Sequence, residues 1–458
     1  MMLRIAWRSL WTRPVRAAVL AGGFGLGIAV MAELLGVGQV ILEQAHAPAL
    51  QGGGGVVMTG TLGSVESARF VMSSVLATPD LAHRIVAVSP SAKARLFLMT
   101  AHGAIAVSAR GGIPSLEKAI GDPEVSALAS WADAADDVRW AKPDPGDVLR
   151  AMDRFHPIAE SAGRASSWAE WLYFNGRTRD GRLRVYVTLL VGPRAATPGK
   201  RVAGVRLQLE RDGRPATYST RGEIDEAALL ARAPDLEIAG NRVRLDNLTY
   251  RITLALPGLT GEIALDAAPG RSLPPATIRG AGGWVSGYVV PVLAGTMRGT
   301  LHLGRESVTF DNAAGYHDHN WGFWQGVRWQ WGQVAKDDVS IVYGRVFPPP
   351  DVADPARLPG FLAVLGREGP VAFSTDVTID QSPDAGHVDV RARGTVLDLH
   401  LAFDADDTVR TAMAIGGPAA GPSMNFLQLG GTYRVRGRIA GDNVEFSATG
   451  AAEIFRPH

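Results

Sequence analysis

An all-β fold is what this sequence predicts: two tandem antiparallel β-barrels, preceded by one transmembrane helix and a small mixed α/β segment. Three observations lead there. From Trp168 onward, apolar and polar residues alternate along short runs. Turn signals separate those runs at short intervals. And a single long apolar run, flanked by arginines, opens the chain.

That opening run comes first in order. Arg4, Arg8, Arg13 and Arg16 precede an apolar stretch from Ala17 to Leu42 whose one formal charge is Glu33. A spanning helix needs roughly 20 apolar residues. Arginines on one flank place that flank in the cytoplasm. Residues 1–16 are therefore expected on the cytoplasmic side, 17–42 in the inner membrane as a single pass, and the remainder outside, in the periplasm. A cleaved signal peptide is the rival reading, since Ala45-His46-Ala47 has the spacing of a cleavage site. Pro48 directly after it, and the length of the run, favour an uncleaved anchor. Glu33 either faces a protein partner or sits near the outer interface.

Four glycines, Gly52 to Gly55, close the anchor region. Residues 43–150 then read as a small extracytoplasmic segment of mixed character. Ile85–Val88 and Arg95–Met99 look like strands, and Pro114–Ala135 looks helical with Ser115 as its N-cap. Pro143, Pro145 and Gly146 mark a linker.

Beyond it the period changes to two. Val185, Val187, Leu189 and Val191 share one face, with Arg184, Tyr186 and Thr188 opposite; Val205, Leu207 and Leu209 alternate with Arg206, Gln208 and Glu210. Arg434, Arg436 and Arg438 alternate with Val435 and Ile439, and Val444, Phe446 and Ala448 with Glu445 and Ser447. This is the pattern of half-buried antiparallel strands. Asp180-Gly181, Asp212-Gly213 and Gly441-Asp442-Asn443 supply turns. The span holds about twice the strands of one small barrel, which gives barrels at 154–315 and 316–458.

Composition narrows the function. The net charge of +1 leaves no electrostatic footprint for nucleic acid. With no cysteine, a disulfide scaffold, a thiolate zinc site and a cysteine nucleophile are all excluded.

The densest chemistry lies at Tyr316-His317-Asp318-His319-Asn320-Trp321-Gly322, followed by Trp324, Trp329 and Trp331. If this stretch is extended, Tyr316, Asp318 and Asn320 point one way, and His317, His319 and Trp321 the other. Three chemistries fit. His317 and His319 could bind zinc if His302 or His156 supplied a third ligand. Asp318, between the donors Tyr316 and Asn320 and near tryptophans, could be a general acid with a raised pKa. Or the group is a hydrogen-bonded cluster that closes a barrel end. A second cluster, Trp168 to Gly176, alternates Glu170, Leu172 and Phe174 with Trp171, Tyr173 and Asn175. It reads as an aromatic-rich barrel strand, with Glu170 a lesser site candidate.

These two motifs, Glu170-Trp171-x-Tyr173-Phe174-Asn175-Gly176 and Gly315 to Gly322, resemble signatures of the AttH / carotenoid 1,2-hydratase family (hydroxyneurosporene synthase type). The resemblance covers about 154–458. It implies tandem lipocalin-like barrels around an apolar ligand, with no cofactor and no metal. It also implies that Asp318 protonates an isoprenoid double bond with Tyr316 assisting. His317, His319, Asn320, Trp321, Trp324, Glu170, Trp171, Tyr173 and Tyr288 would then line the ligand. One departure stands out: where the hydratases carry a His-x-Trp pair, this chain has Ser286-Gly287-Tyr288. The family is also similar to lipocalin-like cyclases, so the fold does not fix the reaction. Leu3 to Leu10 with the following helix resembles the first membrane helix of MacB-type ABC exporter permeases, and 56–150 part of such a permease's outer domain. That resemblance implies a relic fusion or a means of docking on an exporter. Two functions follow: an enzyme acting on an alkene, either a hydro-lyase or an isomerase or cyclase, or a non-catalytic accessory that passes an apolar ligand to an ABC exporter.

Overall fold

The computed structural model describes residue 15, residues 55–58, 68–77, 83–100, 103–122, 125 and 130–137, and all of 144–457 except 162, 269, 368 and 414–423. The apolar run at 17–42 lies outside the described residues. Among those described, no helix is long and apolar enough to cross a membrane.

The chain divides into two compact units. The smaller one, within 86–138, carries an antiparallel hairpin of β1 (Ser91–Thr100) and β2 (Gly103–Gly112), then helix α2 (Pro114–Ala119). The expected strand at Arg95–Met99 lies inside β1, but Ile85–Val88 forms no strand. The expected helix at Pro114–Ala135 breaks after Ala119, and Val125, within the same span, is helical again. Gly121, at φ +76°, makes the break with Asp122-Pro123 behind, and 131–137 have no helical turn. Ser115 is not the cap: Ile113 holds that position and Pro114 is the first helical residue.

The larger unit contains 64–85 and 139–458. Helix α1 (Ala68–Ala77) belongs to it. The expected linker around Pro143–Gly146 is instead the start of helix α3 (Pro145–Met152). Asp144 caps it by accepting hydrogen bonds from the Gly146 and Asp147 amides. Its face of Val148, Leu149 and Met152 packs into the first barrel, so that barrel's material begins before 154.

The first barrel is an eleven-stranded antiparallel sheet. Its strands are β3 (Trp168–Arg177), β4 (Leu183–Arg194), β5 (Lys200–Arg211), β6 (Arg214–Asp225), β7 (Leu236–Ile238), β8 (Asn241–Asp246), β9 (Thr249–Leu256), β10 (Leu259–Ala267), β11 (Leu273–Arg279), β12 (Val285–Leu303) and β13 (Glu306–Phe323). They pair in the order β6-β5-β4-β3-β13-β12-β10-β9-β8-β7, with β11 also on β12. The end strands β6 and β7 lie against each other, which nearly closes the barrel. The second barrel has nine: β14 (Arg328–Lys336), β15 (Val339–Phe347), β16 (Phe361–Gly366), β17 (Gly369–Ser374), β18 (Asp376–Gln381), β19 (His387–Gly394), β20 (Leu397–Met413), β21 (Met424–Ile439) and β22 (Asp442–Pro457), ordered β17-β16-β15-β14-β22-β21-β20-β19-β18.

Strand β13 crosses the expected boundary at 315/316 and belongs wholly to the first barrel, between β3 and β12. The division falls instead between Phe323 and Arg328. The reason is register: Tyr316 to Phe323 pair residue for residue with Asn175 to Trp168, so the two motifs are neighbouring strands.

Alternation places the cores. Val185, Val187, Leu189 and Val191 are buried inside the first barrel. Leu399, Leu401, Phe403, Val435 and Ile439 fill the second. A third apolar cluster draws on both barrels: Tyr173, Tyr186, Leu273, Val290, Leu293 and Tyr316 from the first, Trp331, Val342, Phe361, Ala363 and Leu365 from the second. The outer face of β3, β4 and β13 is therefore covered by the second barrel.

Gly322 permits the close approach of β13 to β12. Its φ of +135° is closed to side-chain-bearing residues, and a Cβ there would strike the Val285 carbonyl on β12. Gly322→Ala should lower unfolding free energy by about 2–3 kcal/mol. Urea unfolding of the full chain checks this; an unchanged midpoint would contradict it.

Candidate functional site

Strand β13 carries chemistry on both faces, and the faces separate as the alternation predicts. His317, His319 and Trp321 point into the first barrel; Tyr316 and Asp318 point out, toward the second. The sequence-predicted site residues therefore form two clusters, one on each side of a sheet.

The inner cluster is an ionic network whose members are buried except for the half-buried His156. Asp153, directly after α3, sits between two histidines: Oδ2 lies 3.0 Å from His317 Nε2, and Oδ1 2.8 Å from His319 Nδ1. The Tyr250 hydroxyl donates to Oδ2 at 2.9 Å. His317 Nδ1 lies 3.0 Å from the Tyr173 carbonyl, and the His317 ring stacks on Phe174 at 4.0 Å. His319 Nε2 lies 3.0 Å from Glu170 Oε1, the same oxygen that His156 Nδ1 approaches at 2.8 Å. Trp321 stacks on His156 at 4.1 Å. Arg201 lies 4.0 Å from Glu170 and donates to the His156 and Gly192 carbonyls.

Both nitrogens of His319 thus face carboxylates, the arrangement of an imidazolium. Burial opposes its charge, but Asp153 and Glu170 outweigh burial and raise it to about 9. Burial would likewise raise Asp153, yet His317 and His319 hold it at about 2. Glu170 is lowered by His156 and His319 against the same opposition. Of the two expected third metal ligands, His156 is in the cluster. His302 is exposed on β12, 2.9 Å from Ser307, in an outer groove of about 610 Å³ between β9, β10 and β12. His156, Glu170 and His319 offer ligand atoms within 4.8 Å of one another, close enough to share a cation. Hydrogen bonds from His156 and His319 to Glu170 already join the same three residues.

The outer cluster is different. Asp318 is 4% exposed. Tyr316 donates to its Oδ2 at 2.8 Å and Asn320 to its Oδ1 at 2.7 Å. Trp331, on β14, donates to the Tyr316 hydroxyl at 3.0 Å, and Gln428, on β21, to the Tyr173 hydroxyl at 2.8 Å. Glu453 on β22 is the register partner of both Trp331 and Gln428, so it shares their face. Burial raises Asp318 to about 6, against the opposing hydrogen bonds of Tyr316 and Asn320. Burial raises Glu453 well above the carboxylate range; the charge of Asp318 adds to this, and a hydrogen bond from Tyr173 opposes it. Two carboxyl groups, one from each barrel, are thus held toward their protonated forms by a shared dry space.

The remaining expected residues fall around this space. Tyr288 stacks on Phe361 at 5.5 Å and meets Trp331 edge-on at 5.2 Å. Trp171 packs on Trp324 and Trp329, and Trp324 donates to the Ala169 carbonyl. Gly287, in the departure Ser286-Gly287-Tyr288, leaves room for the Trp321 ring, which a Cβ would strike.

Sequence reasoning missed Asp153, Arg201, Gln428 and Glu453, and left Trp331 outside the site. Glu453 carried a signal: it is a lone carboxylate among Ala451, Ala452, Ile454 and Phe455. Asp153 carried none.

Fold and site together define a tandem-barrel protein with a carboxyl pair buried between its barrels. No protein-family model matches the chain, and no curated protein does. Solved structures do. One reported as AttH from Nitrosomonas europaea matches at 14% identity and TM-score 0.43, over 66% of this chain and 99% of that one. CghA with Sch210972 matches at 11% and 0.47, over 67% and 95%. Kievitone hydratase from Nectria haematococca matches at 15% and 0.40, over 66% and 93%.

The inner network makes a pH prediction. His319 has its folded value, about 9, above the model-compound 6.5. Its contribution is complete below about 6.5 and lost as pH rises through 9. Asp153 is depressed, from 3.8 to about 2, so its contribution is present above 3.8 and lost as pH falls through 2. Stability should therefore fall between pH 6.5 and 9, by on the order of 3 kcal/mol from His319. His319→Gln should be less stable by about 3–5 kcal/mol at pH 6 and should lose that part of the slope. Thermal melts of both proteins across pH 5–9 check it; a flat wild-type profile would contradict it.

Proposed function

We propose that this chain is a membrane-anchored, extracytoplasmic protein of the AttH/carotenoid-hydratase type. It binds an apolar isoprenoid or lipid-like molecule between its barrels and adds water to an alkene, or isomerises it, with Asp318 as the acid. The supporting observation is the state of Asp318: a carboxyl raised to about 6 by burial, oriented by two donors and facing aromatic rings. Anchorage rests on the arginine-flanked run at 17–42.

Protonating an alkene needs an acid kept dry and a stabilised cation. Asp318 delivers its proton to one alkene carbon, and the positive charge forms on the other. Tyr316, Trp331 and Tyr288 present ring faces to it, each worth about 0.5–2 kcal/mol. Water then adds to the cation and its proton returns to the Asp318 carboxylate, so one water is consumed. For isomerisation, the same carboxylate takes a proton from the neighbouring carbon. Burial and the charge of Asp318 hold Glu453 protonated while Asp318 is ionised, so the pair carries one charge rather than two during the cycle.

A non-catalytic accessory role beside an ABC exporter is the second reading. Ser286-Gly287-Tyr288, in place of the hydratases' His-x-Trp pair, favours it.

Asp318→Asn keeps size and one of the two accepted hydrogen bonds but removes the acid. Incubating the full chain with acyclic isoprenoid alkenes in ¹⁸O-water and reading products by mass spectrometry should show label incorporation by wild type. The variant should fall by about 10²-fold or more with an unchanged melting temperature. Undiminished turnover in the variant would end the acid role, and a lowered melt with proportionate loss would make Asp318 structural.

A further inference from the structure

The outer face of the first barrel continues past Asp318 into a block of polar side chains that the alkene chemistry does not use. Register sets it out as two rows. Arg177, Arg184 and Glu210 are successive partners across β3, β4 and β5; Asn175, Tyr186 and Gln208 form the adjacent row. Tyr316 pairs with Asn175, so the block borders the carboxyl site directly.

Arg184, Tyr186, Gln208 and Glu210 are buried and Asn175 and Arg177 half-buried, yet several lack partners. Gln208 is 2% exposed, Glu210 4% and Arg184 6%. Among the described residues, Asn175 Nδ2, Arg177 Nη1, Arg184 Nε, Gln208 Nε2 and Glu210 Oε2 make no hydrogen bond. Buried polar atoms are nearly always paired, and a cluster of unpaired ones in one block asks for a missing partner. The arginine nitrogens can only donate, so the missing group is rich in acceptors. Two cations stand side by side: burial lowers Arg177 and the charge of Arg184 adds to this, against the opposing charges of Asp406 and Glu210, and a further anion between the guanidiniums relieves what repulsion remains. Asp407 of the second barrel takes Arg184 Nη1 at 3.3 Å, and Glu210 lies 3.7 Å from the same nitrogen. These two acids disfavour a dianion. Gly430 of β21 leaves the space that the Arg184 guanidinium occupies, since a Cβ there would collide with it.

We infer that this block is a head-group subsite, which takes the carboxylate end of an amphiphile whose apolar chain lies along the carboxyl-lined space between the barrels. The inference rests on the ligand lying there, as proposed above. It replaces a plain hydrocarbon substrate with a long-chain monocarboxylic acid.

The test uses the full chain in detergent micelles, with micelles alone as blank, and two probes of equal carbon skeleton: farnesoic acid and farnesene. Binding is read by tryptophan fluorescence. The acid should bind at least about 10-fold tighter than the hydrocarbon, as one charge-assisted contact implies. Arg177→Met and Gln208→Met should each remove most of that preference and leave farnesene affinity unchanged. Because each deletes a buried nitrogen that makes no hydrogen bond, the ligand-free melting temperature should hold or rise. A fall in melting temperature in both variants would make the side chains structural and overturn the subsite. Equal affinity for the two probes would overturn it while the apolar-ligand reading stands. Binding of neither would overturn both.

Discussion

Burial of one face of strand β13 under the second barrel is the constraint on which the rest depends. A barrel strand ordinarily has one dry face and one wet face. Here both are dry. His317, His319 and Trp321 lie inside the first barrel, while Tyr316 and Asp318 lie beneath Trp331 and Glu453 of the second. A strand that is dry on both faces can hold ionisable groups only if each face solves its own electrostatic problem.

The two solutions are opposite in kind. On the inner face, charges are paired: His319 bridges Asp153 and Glu170, and burial is offset by mutual attraction. The network ties α3's C-terminal end to β3 and β13, so breaking one member leaves others charged and unmatched. On the outer face Asp318 forms no ion pair among the described residues, the charges of His317 and His319 only partly oppose its burial, and protonation answers the rest. Hydrogen bonds from Tyr316 and Asn320 fix the carboxyl without discharging it. The inner face supplies rigidity, and the outer face supplies a poised acid. Coupling them through a single strand fixes the position of Asp318 by a network it does not join.

Much of this was legible in the residues. Alternation at 185–191 and 205–209 placed the barrel core, and the same period-two rule sorted 316–321 onto two faces. What alternation cannot say is what covers a polar face. Arg184, Tyr186, Gln208 and Glu210 read as a wet side, yet the second barrel buries them. Asp153 and Glu453 were invisible as partners, because they meet β13 from 165 residues before and 135 after Asp318, a matter of topology and not of pattern. The helix at 114–135 was overextended because helical composition continued past Gly121, where one left-handed residue and the following Asp122-Pro123 break it. The boundary at 315/316 failed for the same reason as the missing partners: only pairing with β3 assigns β13 to the first barrel.

The central claim is that burial under the second barrel lifts the ionisation midpoint of Asp318 to about 6, so that the protonated acid is present up to that pH. An infrared difference spectrum, wild type minus Asp318→Asn, isolates its carboxyl stretch, and titrating that band from pH 3 to 8 reads its ionisation directly. The account predicts a midpoint near 6, as burial requires. A midpoint near 4, the value of a solvated aspartate, would contradict it.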